Sequence, residues 1–212
     1  MAQATVPDTL AQRLQACTAC HGKEGRATRD GYFPRIAGKP AGYLYNQLVN
    51  FRDGRRRNAA MTHLIEHMSD DYLRQIAEHF ATLDLPYPPP KADDAARPGQ
   101  ARGEALVQRG DPTQRVPACV QCHGAAMTGV LPAAPGLLGL PRDYLVAQLG
   151  AWRSGQRRAN APDCMAQIAL RLSAEDIGAV ASWLAAQPVP VDAKAVPAST
   201  KPAPMECGSA AR

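Results

Sequence analysis

Apolar residues recur every three or four positions in several stretches of the chain, as they do on the buried face of an α-helix. In the first half, Gly54 follows one such stretch and Ser69 precedes the next, as expected for residues that bound helices. No two segments show the alternation of paired strands. The pattern therefore predicts an all-α chain, with helical faces at Leu10, Leu14 and Cys17, at Leu44, Gln47, Leu48 and Phe51, and at Leu73, Ile76, Ala77 and Phe80.

A second set of helical stretches follows about a hundred residues later and matches the first. The pattern Tyr-Leu-x-x-Gln-Leu-x-x-Phe/Trp-Arg-x-Gly begins at Tyr43 and again at Tyr144. Ser173 precedes the last helix of the second half as Ser69 precedes that of the first, and Asp176 three residues later indicates a capping box. One structural unit has therefore been used twice.

Two proline-rich segments divide the chain. The prolines between Pro86 and Pro90 favour an extended conformation and oppose a helix. The stretch after residue 187 is rich in Pro, Ala and Ser and lacks periodic apolar residues, which predicts a poorly ordered tail, with a strap over the domains as the alternative. We predict a first domain over 1–83, a linker over 84–100, a second domain over 101–187 and a tail over 188–212.

Each unit carries one Cys-x-x-Cys-His motif, the spacing that attaches a c-type haem. Residues three and four apart lie on one side of a helical turn, so both thiols and the imidazole project together. The motifs predict two covalently bound haem c groups, each with an axial histidine on its iron. The residues are Cys17, Cys20 and His21 in the first unit, and Cys119, Cys122 and His123 in the second.

Two other uses of paired cysteines fit the sequence less well. Neither a redox-active cysteine pair nor a zinc site requires a histidine directly after the second cysteine, and here it follows twice. A zinc site would also have to join motifs about a hundred residues apart, whereas paired zinc motifs usually lie roughly 15–20 residues apart. A largely apolar haem would enlarge the thin core of each small unit, so we expect haem loss to unfold a domain.

The second axial position of each iron needs another side chain. Met61 and Met165 lie at matching points of the repeat, just before the last helix of each unit, where a loop can cross the open haem face. Met68 is expected to pack in a core, and Met127 follows His123 too closely to reach the opposite face. Met61 and Met165 are therefore the predicted iron ligands.

Three other histidines leave an alternative open. His63, His67 and His79 have no histidine counterparts in the second half, which favours surface or structural roles, but bis-histidine ligation of the first haem remains an alternative. If each iron has a His and a Met ligand, neither has an open position for a substrate. Outer-sphere electron transfer is then expected, without catalytic residues.

Composition indicates the kind of protein and where it is expected to be located. With 45% hydrophobic and 20% charged residues the chain is typical of soluble globular proteins, and it contains no run of eighteen uncharged apolar residues for a transmembrane helix, although peripheral membrane attachment stays open. Since c-type haem is attached outside the cytoplasmic membrane, we expect a periplasmic protein, although no signal peptide is recognisable in the sequence.

The formal net charge is +5 at pH 7, and arginines cluster at matching points of the two units. They are candidates for haem propionate partners or for a surface that binds an acidic redox protein, with a merely solvated face as the alternative. No nucleic-acid-binding motif is present, so nucleic acid is not an expected partner. The arginines are Arg52, Arg55, Arg56 and Arg57, and Arg153, Arg157 and Arg158.

The order of motifs resembles the dihaem cytochromes c4 over residues 8–187. Each unit runs Cys-x-x-Cys-His-Gly, Pro-x-x-x-Gly, Tyr-Leu-x-x-Gln-Leu, then Met before a final helix. The resemblance implies two cytochrome c-like domains about a pseudo-twofold axis, with propionate edges facing each other. It also implies a periplasmic electron carrier that passes electrons to a terminal oxidase or another respiratory partner, such as a dehydrogenase or cytochrome complex.

Some features depart from the family pattern and keep other functions open. The tail, Cys164 and Cys207 are not part of it, and the two cysteines are expected to form a disulfide in an oxidising compartment, with free thiols as the alternative. The first alternative function is an electron-accepting subunit of a periplasmic dehydrogenase. The second is a dihaem enzyme, such as a peroxidase or a thiosulfate-oxidising enzyme, which would need one labile iron ligand.

Overall fold

The computed structural model describes residues 9–28, 32–200 and 202–210, so residues 1–8 and 29–31 of the predicted first domain and residues 201, 211 and 212 of the predicted tail lie outside it. Thr9, Asn58 and Ser69 begin helices of the first half, because their side-chain oxygens accept hydrogen bonds from free backbone N–H groups. The elements are α1 (Leu10–Arg13), α2 (Gln15–His21), a 3₁₀ turn (Lys23–Gly25), α3 (Ala41–Arg52), α4 (Ala59–Ile65) and α5 (Asp70–Thr82).

The second half repeats this helical order. The capping box predicted at its last helix is present, since the Ser173 side chain accepts from the Asp176 N–H and the Asp176 side chain accepts from the Ser173 N–H. The elements are α6 (Ala92–Ala95), α7 (Gln100–Arg109), α8 (Val120–His123), α9 (Arg142–Arg153), α10 (Cys164–Arg171) and α11 (Ala174–Ala186). The predicted all-α fold is confirmed.

The expectation of no paired strands is wrong at one point. β1 (Gly129–Val130) pairs antiparallel with β2 (Ala134–Pro135). Strands of two residues are too short to show the alternation that sequence analysis relies on. Gly129 has φ +105, and a Cβ there would lie 2.7 Å from the Gly136 nitrogen, so this close approach requires glycine.

Each half has its own hydrophobic core. In the first, α3 packs on α5, and in the second, α11 packs on α7 and α9. The two clusters of buried residues are separate, which agrees with two repeated units. Their largest members include Phe51, Ile65, Leu73 and Phe80 in the first half, and Leu106, Met127, Leu145 and Leu184 in the second.

The halves meet through segments that follow α3 and α9. Arg56 and Arg157 pair as an antiparallel bridge. The Arg57 N–H donates to the Gln156 carbonyl at 3.0 Å, and the Arg158 N–H donates to the Arg55 carbonyl at 2.7 Å. Because repeat-related residues make reciprocal contacts, the two halves are related by a pseudo-twofold axis.

The connecting segment is extended and anchored. Residues 83–91 form no helix or strand, as their prolines predict. The buried guanidinium of Arg35 donates to the carbonyls of Leu85 and Pro86 and lies 3.8 Å from the Tyr87 ring centroid. After this segment, α6 contacts α11, so part of the predicted linker packs on the second half.

The prediction of a poorly ordered tail is wrong for residues 188–200 and 202–210, and the alternative of a strap describes them. Cys207 forms the expected disulfide with Cys164. The Leu131 N–H donates to the Val196 carbonyl at 2.8 Å, and Asn46 Nδ2 donates to the Ser209 carbonyl at 3.0 Å. The disulfide and the hydrogen bonds to main-chain groups hold the tail in place. Neither kind of contact can be predicted from the periodicity of apolar residues.

Within the described residues, no helix has the length and apolar character needed to cross a bilayer.

Candidate haem sites

The first motif lies on α2, which places its two thiols and its imidazole on one helical segment. Cys17 is half-buried and Cys20 exposed, and neither forms a disulfide. His21 is 8% exposed, and its Nδ1–H donates to the Pro34 carbonyl at 2.8 Å. That hydrogen bond leaves Nε2 as the nitrogen with a free lone pair, the form in which histidine binds a metal.

The second motif has the same geometry. Cys119 is the N-cap of α8, and Cys122 and His123 follow on the helix. His123 is 8% exposed, and its Nδ1–H donates to the Pro135 carbonyl at 2.8 Å. The sequence analysis missed these proline carbonyls as functional groups, although Pro34 and Pro135 occupy matching positions of the repeat.

Burial shifts the pKa values of titratable side chains in both motifs. It lowers the pKa of His21 and of His123, although the hydrogen bond to each proline carbonyl opposes the shift. Neutral imidazole is the form that binds iron. Burial also raises the pKa of the Cys119 thiol to about 11. A redox-active cysteine pair needs a lowered thiol pKa, so this environment argues against that alternative.

The methionine candidates lie on short helices, and the expectation of a loop is wrong in this respect. The Asn58 side chain accepts from the Met61 N–H at 3.0 Å and begins α4. Asp163 caps α10, where Met165 lies beside the disulfide-bonded Cys164. Capping turns segments that look like loops in the sequence into helical turns.

The other candidate ligands lie in the cores or at the surface. Met127 is buried in the second core, as expected for a structural residue, and Met68 packs against the first core, as Met61 also does. The side chains of His63 and His67 are 89% and 95% exposed, and each approaches Glu66. Within the described residues, no group of three or more His, Cys, Asp or Glu side chains is arranged for a metal ion.

Polar side chains between the two halves form a symmetric cluster. Gln148 Oε1 accepts from Arg56 Nη2 at 2.7 Å and from Arg157 Nη1 at 2.8 Å. Gln47 Oε1 accepts from Arg56 Nη1 at 3.0 Å and from Arg157 Nη2 at 2.9 Å. Two guanidinium groups are therefore held close together in the interface, although like charges repel.

This interface has the donors that haem propionates require. Trp152 Nε1 is buried without a hydrogen-bond partner in the described part of the chain, and the Arg157 guanidinium lies 3.8 Å from the centroid of the same ring. Burial, together with the charge of Arg56, lowers the pKa of Arg157. A buried N–H beside buried cations favours an anion, so the residues fit a carboxylate-bearing cofactor in addition to the two motifs.

Comparison with known proteins decides the family. No family model matches the sequence. The thiosulfate dehydrogenase electron acceptor of Thiomonas intermedia is 38% identical over 177 residues, covering 82% of this chain and 79% of that protein. Cytochrome c4 of Pseudomonas aeruginosa is 34% identical over 175 residues, covering 81% of this chain and 84% of that protein. The chain belongs to the cytochrome c4 family.

Solved structures agree. Reduced cytochrome c4 from Pseudomonas stutzeri has a TM-score of 0.69 and 30% identity, covering 81% of this chain and 93% of that one. A thiosulfate dehydrogenase from Marichromatium purpuratum has the same TM-score and 32% identity, covering 81% of this chain and 36% of that one. The predicted resemblance, the tandem cytochrome c-like fold and the two haem c groups of a dihaem electron carrier are thus confirmed for this member of the cytochrome c4 family.

Proposed function

We propose that Cys17 and Cys20 bind the first haem and Cys119 and Cys122 the second, through thioether bonds. The axial ligands are His21 and Met61 on the first iron, and His123 and Met165 on the second. The observation that carries the assignment is the repeated histidine geometry, in which a proline carbonyl holds Nδ1 in both motifs. The exposed positions of His63 and His67 favour Met61 over a second histidine.

The chain's residues act by holding the redox centres and excluding substrates. Each bound haem c supplies a one-electron ferric/ferrous couple. The two proline carbonyls fix the imidazole orientation. With Met61 and Met165 as the second ligands, the bound irons would have no coordination position open to a substrate. Arg157 and Trp152 offer donors to propionates at the domain interface. The chain therefore carries electrons and is not itself an enzyme.

The proposed setting is the periplasm, with soluble or membrane-bound redox proteins as partners and no nucleic acid. Electrons pass onward to a terminal oxidase or another respiratory partner. Two units, over 1–83 and 101–187, each hold one haem, joined by the linker 84–100 and strapped by the tail 188–212. Arg57 and Arg158 are exposed beside the interface, and we assign them to the binding of acidic partners.

A second candidate function is favoured by the relatives. Proteins of Thiomonas intermedia and Stutzerimonas stutzeri, each 38% identical, are electron acceptors of thiosulfate dehydrogenase. In that role this chain would use the same two proposed His/Met haem sites, so the role would differ from the first candidate only in the electron donor. The chain would accept electrons from such a dehydrogenase as a separate or bound subunit.

One experiment separates carrier, acceptor and enzyme. The haem-loaded protein is mixed with thiosulfate or peroxide alone, and then with thiosulfate plus a catalytic thiosulfate dehydrogenase. A carrier turns over neither thiosulfate nor peroxide when it is mixed with that compound alone. An acceptor is reduced by two electrons when the dehydrogenase is added together with thiosulfate. Turnover with either compound alone would contradict the carrier proposal.

Salt provides a further test, since neutral variants of Arg57 and Arg158 should weaken the salt dependence of reaction with an acidic partner.

A further inference from the structure

Lys39 is a buried cation that reaches from one half of the molecule into the other. It lies just before α3 in the first half and is only 4% exposed, although lysine is rarely buried without a partner charge. Its Nζ donates to the Gly136 carbonyl of the second half at 2.9 Å. Within the described residues, no carboxylate forms an ion pair with it.

The position of this cation relates it to the second haem site. Gly136 directly follows Pro135, whose carbonyl accepts the Nδ1–H of His123. The ammonium group is therefore bound one peptide unit away from the carbonyl that orients the second axial histidine. It approaches the side of the site where His123 lies.

The first haem site has no equivalent cation from the second half. Leu140 occupies the repeat position of Lys39. Arg35 occupies the repeat position of Gly136, and its guanidinium donates instead to the carbonyls of Ala37, Leu85 and Pro86. Arg35 is itself a buried cation next to Pro34, but it belongs to the first domain, whereas Lys39 brings a charge from one domain to the haem site of the other.

We propose that Lys39 raises the reduction potential of the second haem relative to the first. This proposal rests on the assignment of His123 to the second iron. Reduction adds one electron to the iron, so a buried positive charge nearby stabilises the ferrous state over the ferric state. Burial keeps solvent and salt from screening the charge.

Two consequences follow for electron transfer. An electron on the second haem is held more strongly than it would be without the charge of Lys39. Because Lys39 belongs to the first domain, this tuning depends on the contact between domains, and a change in their packing changes the potential of the second haem. Lys39 is a positioning residue in this scheme, since it acts on the iron through space and through the Gly136 segment.

The test compares five proteins loaded with both haems: wild type, Lys39→Met, Lys39→Gln, Lys39→Arg and the control Lys91→Met, which removes an exposed lysine of the predicted linker. Methionine keeps most of the length of the lysine side chain and removes its charge, and Lys39→Gln serves as a second neutral variant. Spectroelectrochemistry gives both potentials. NMR of the axial methionine methyl groups, assigned by their selective loss in Met61→Ala and Met165→Ala, shows which haem each potential belongs to.

The expected result is that Lys39→Met lowers the ferrous-to-ferric ratio of the second haem roughly tenfold at a given potential, about 59 mV for a one-electron couple. The first haem should change less than threefold, Lys39→Arg should retain most of the wild-type potential of the second haem, and Lys91→Met should change neither potential. An unchanged second potential, or equal shifts of both, with both methionine signals present would overturn this proposal alone. Absence of those signals in wild type would overturn the ligand assignment and this proposal with it.

Discussion

A histidine binds iron in a defined orientation only when its second ring nitrogen is held by another group. Here a backbone carbonyl does this in both units, from Pro34 to His21 and from Pro135 to His123. Since each of these carbonyls belongs to the backbone, an amino-acid substitution cannot remove it directly. The residues that shape each carbonyl segment, such as Gly129 and Arg35, are therefore the ones whose replacement should disturb the axial ligands.

Trp152→Phe tests the propionate assignment at residue scale. The substitution removes the buried N–H that lacks a partner in the described residues. If this group donates to a propionate, the free energy of unfolding of the haem-loaded protein should fall by about 1–2 kcal/mol. Denaturant unfolding followed by haem absorbance measures it. Trp183→Phe is the control, because it makes the same change in size elsewhere in the second half, and an equal loss in both variants would contradict the assignment.

The cysteines and histidines of the two motifs could be predicted because covalent attachment imposes a fixed spacing. The assignment of Met61 and Met165 stays a prediction, which rests on the repeat that places them at the same point twice. Lys39 and the proline carbonyls could not, since their roles depend on which backbone atoms approach each other in the folded chain. Likewise, Arg56 and Arg157 were recognised as a matched pair, but only the fold separates them from the exposed Arg57 and Arg158.

At the scale of elements, capping and cross-linking explain where expectation and structure differ. Asn58 and Asp163 each begin a short helix where a loop was expected. The tail has no periodic apolar residues, yet its disulfide and its hydrogen bonds hold it against both halves. The local pattern of apolar residues predicts which faces of the helices pack. It does not predict helix caps, disulfides or single hydrogen bonds.

Cys207→Ser tests the contribution of the strap. Without the disulfide, the tail loses its covalent attachment beside α10, and we expect the free energy of unfolding to fall by about 2–4 kcal/mol. Guanidinium unfolding of the haem-loaded protein measures the loss, and Ala203→Ser, at an exposed tail position, is the control. If Cys207→Ser unfolds at the same denaturant concentration as the control, the strap does not stabilise the fold.

A charged network joins α7 to the start of α11 and predicts a pH dependence. Arg102 Nε donates to Asp176 at 2.7 Å, and its Nη2 donates to Asp111 at 2.9 Å. The pKa of Asp176 is lowered chiefly by Arg102, and that of Asp111 by the Thr113 hydroxyl and then by Arg102. Carboxylates with lowered pKa values stabilise the fold above their usual pKa of about 4, and this contribution is lost as the pH falls through the folded-state values.

Replacing Arg102 with Met should therefore destabilise the second domain most near neutral pH. The difference from wild type should shrink as the pH falls from about 4 towards the lowered pKa values of the folded protein, because the unfolded chain takes up protons first and the charge-based contribution of the carboxylates is lost. Unfolding measured between neutral and acidic pH tests this, with Arg109→Met as a control that leaves the network intact. A difference that stays constant across the range would show that Arg102 acts by packing and not by charge.

At the scale of the whole molecule, some contacts are repeated by the pseudo-twofold axis and others occur only once. Reciprocal contacts of Arg56, Arg157, Gln47 and Gln148 join two repeated units in a fixed relation, as expected for a carrier whose two haems exchange electrons across the interface. Lys39 and the tail occur once only, and they make the two halves different. The molecule is thus a pair of similar redox units that need not have equal potentials.

The central claim is that each unit holds one covalent haem between a histidine and a methionine. A pyridine haemochrome assay, combined with the near-infrared charge-transfer band of methionine-ligated ferric haem, tests it most directly. We predict two covalently bound haems per chain, a band about halved in Met61→Ala and in Met165→Ala, and no band in the double variant, while Met68→Leu matches wild type. Fewer than two haems, or an undiminished band in the double variant, would contradict the account.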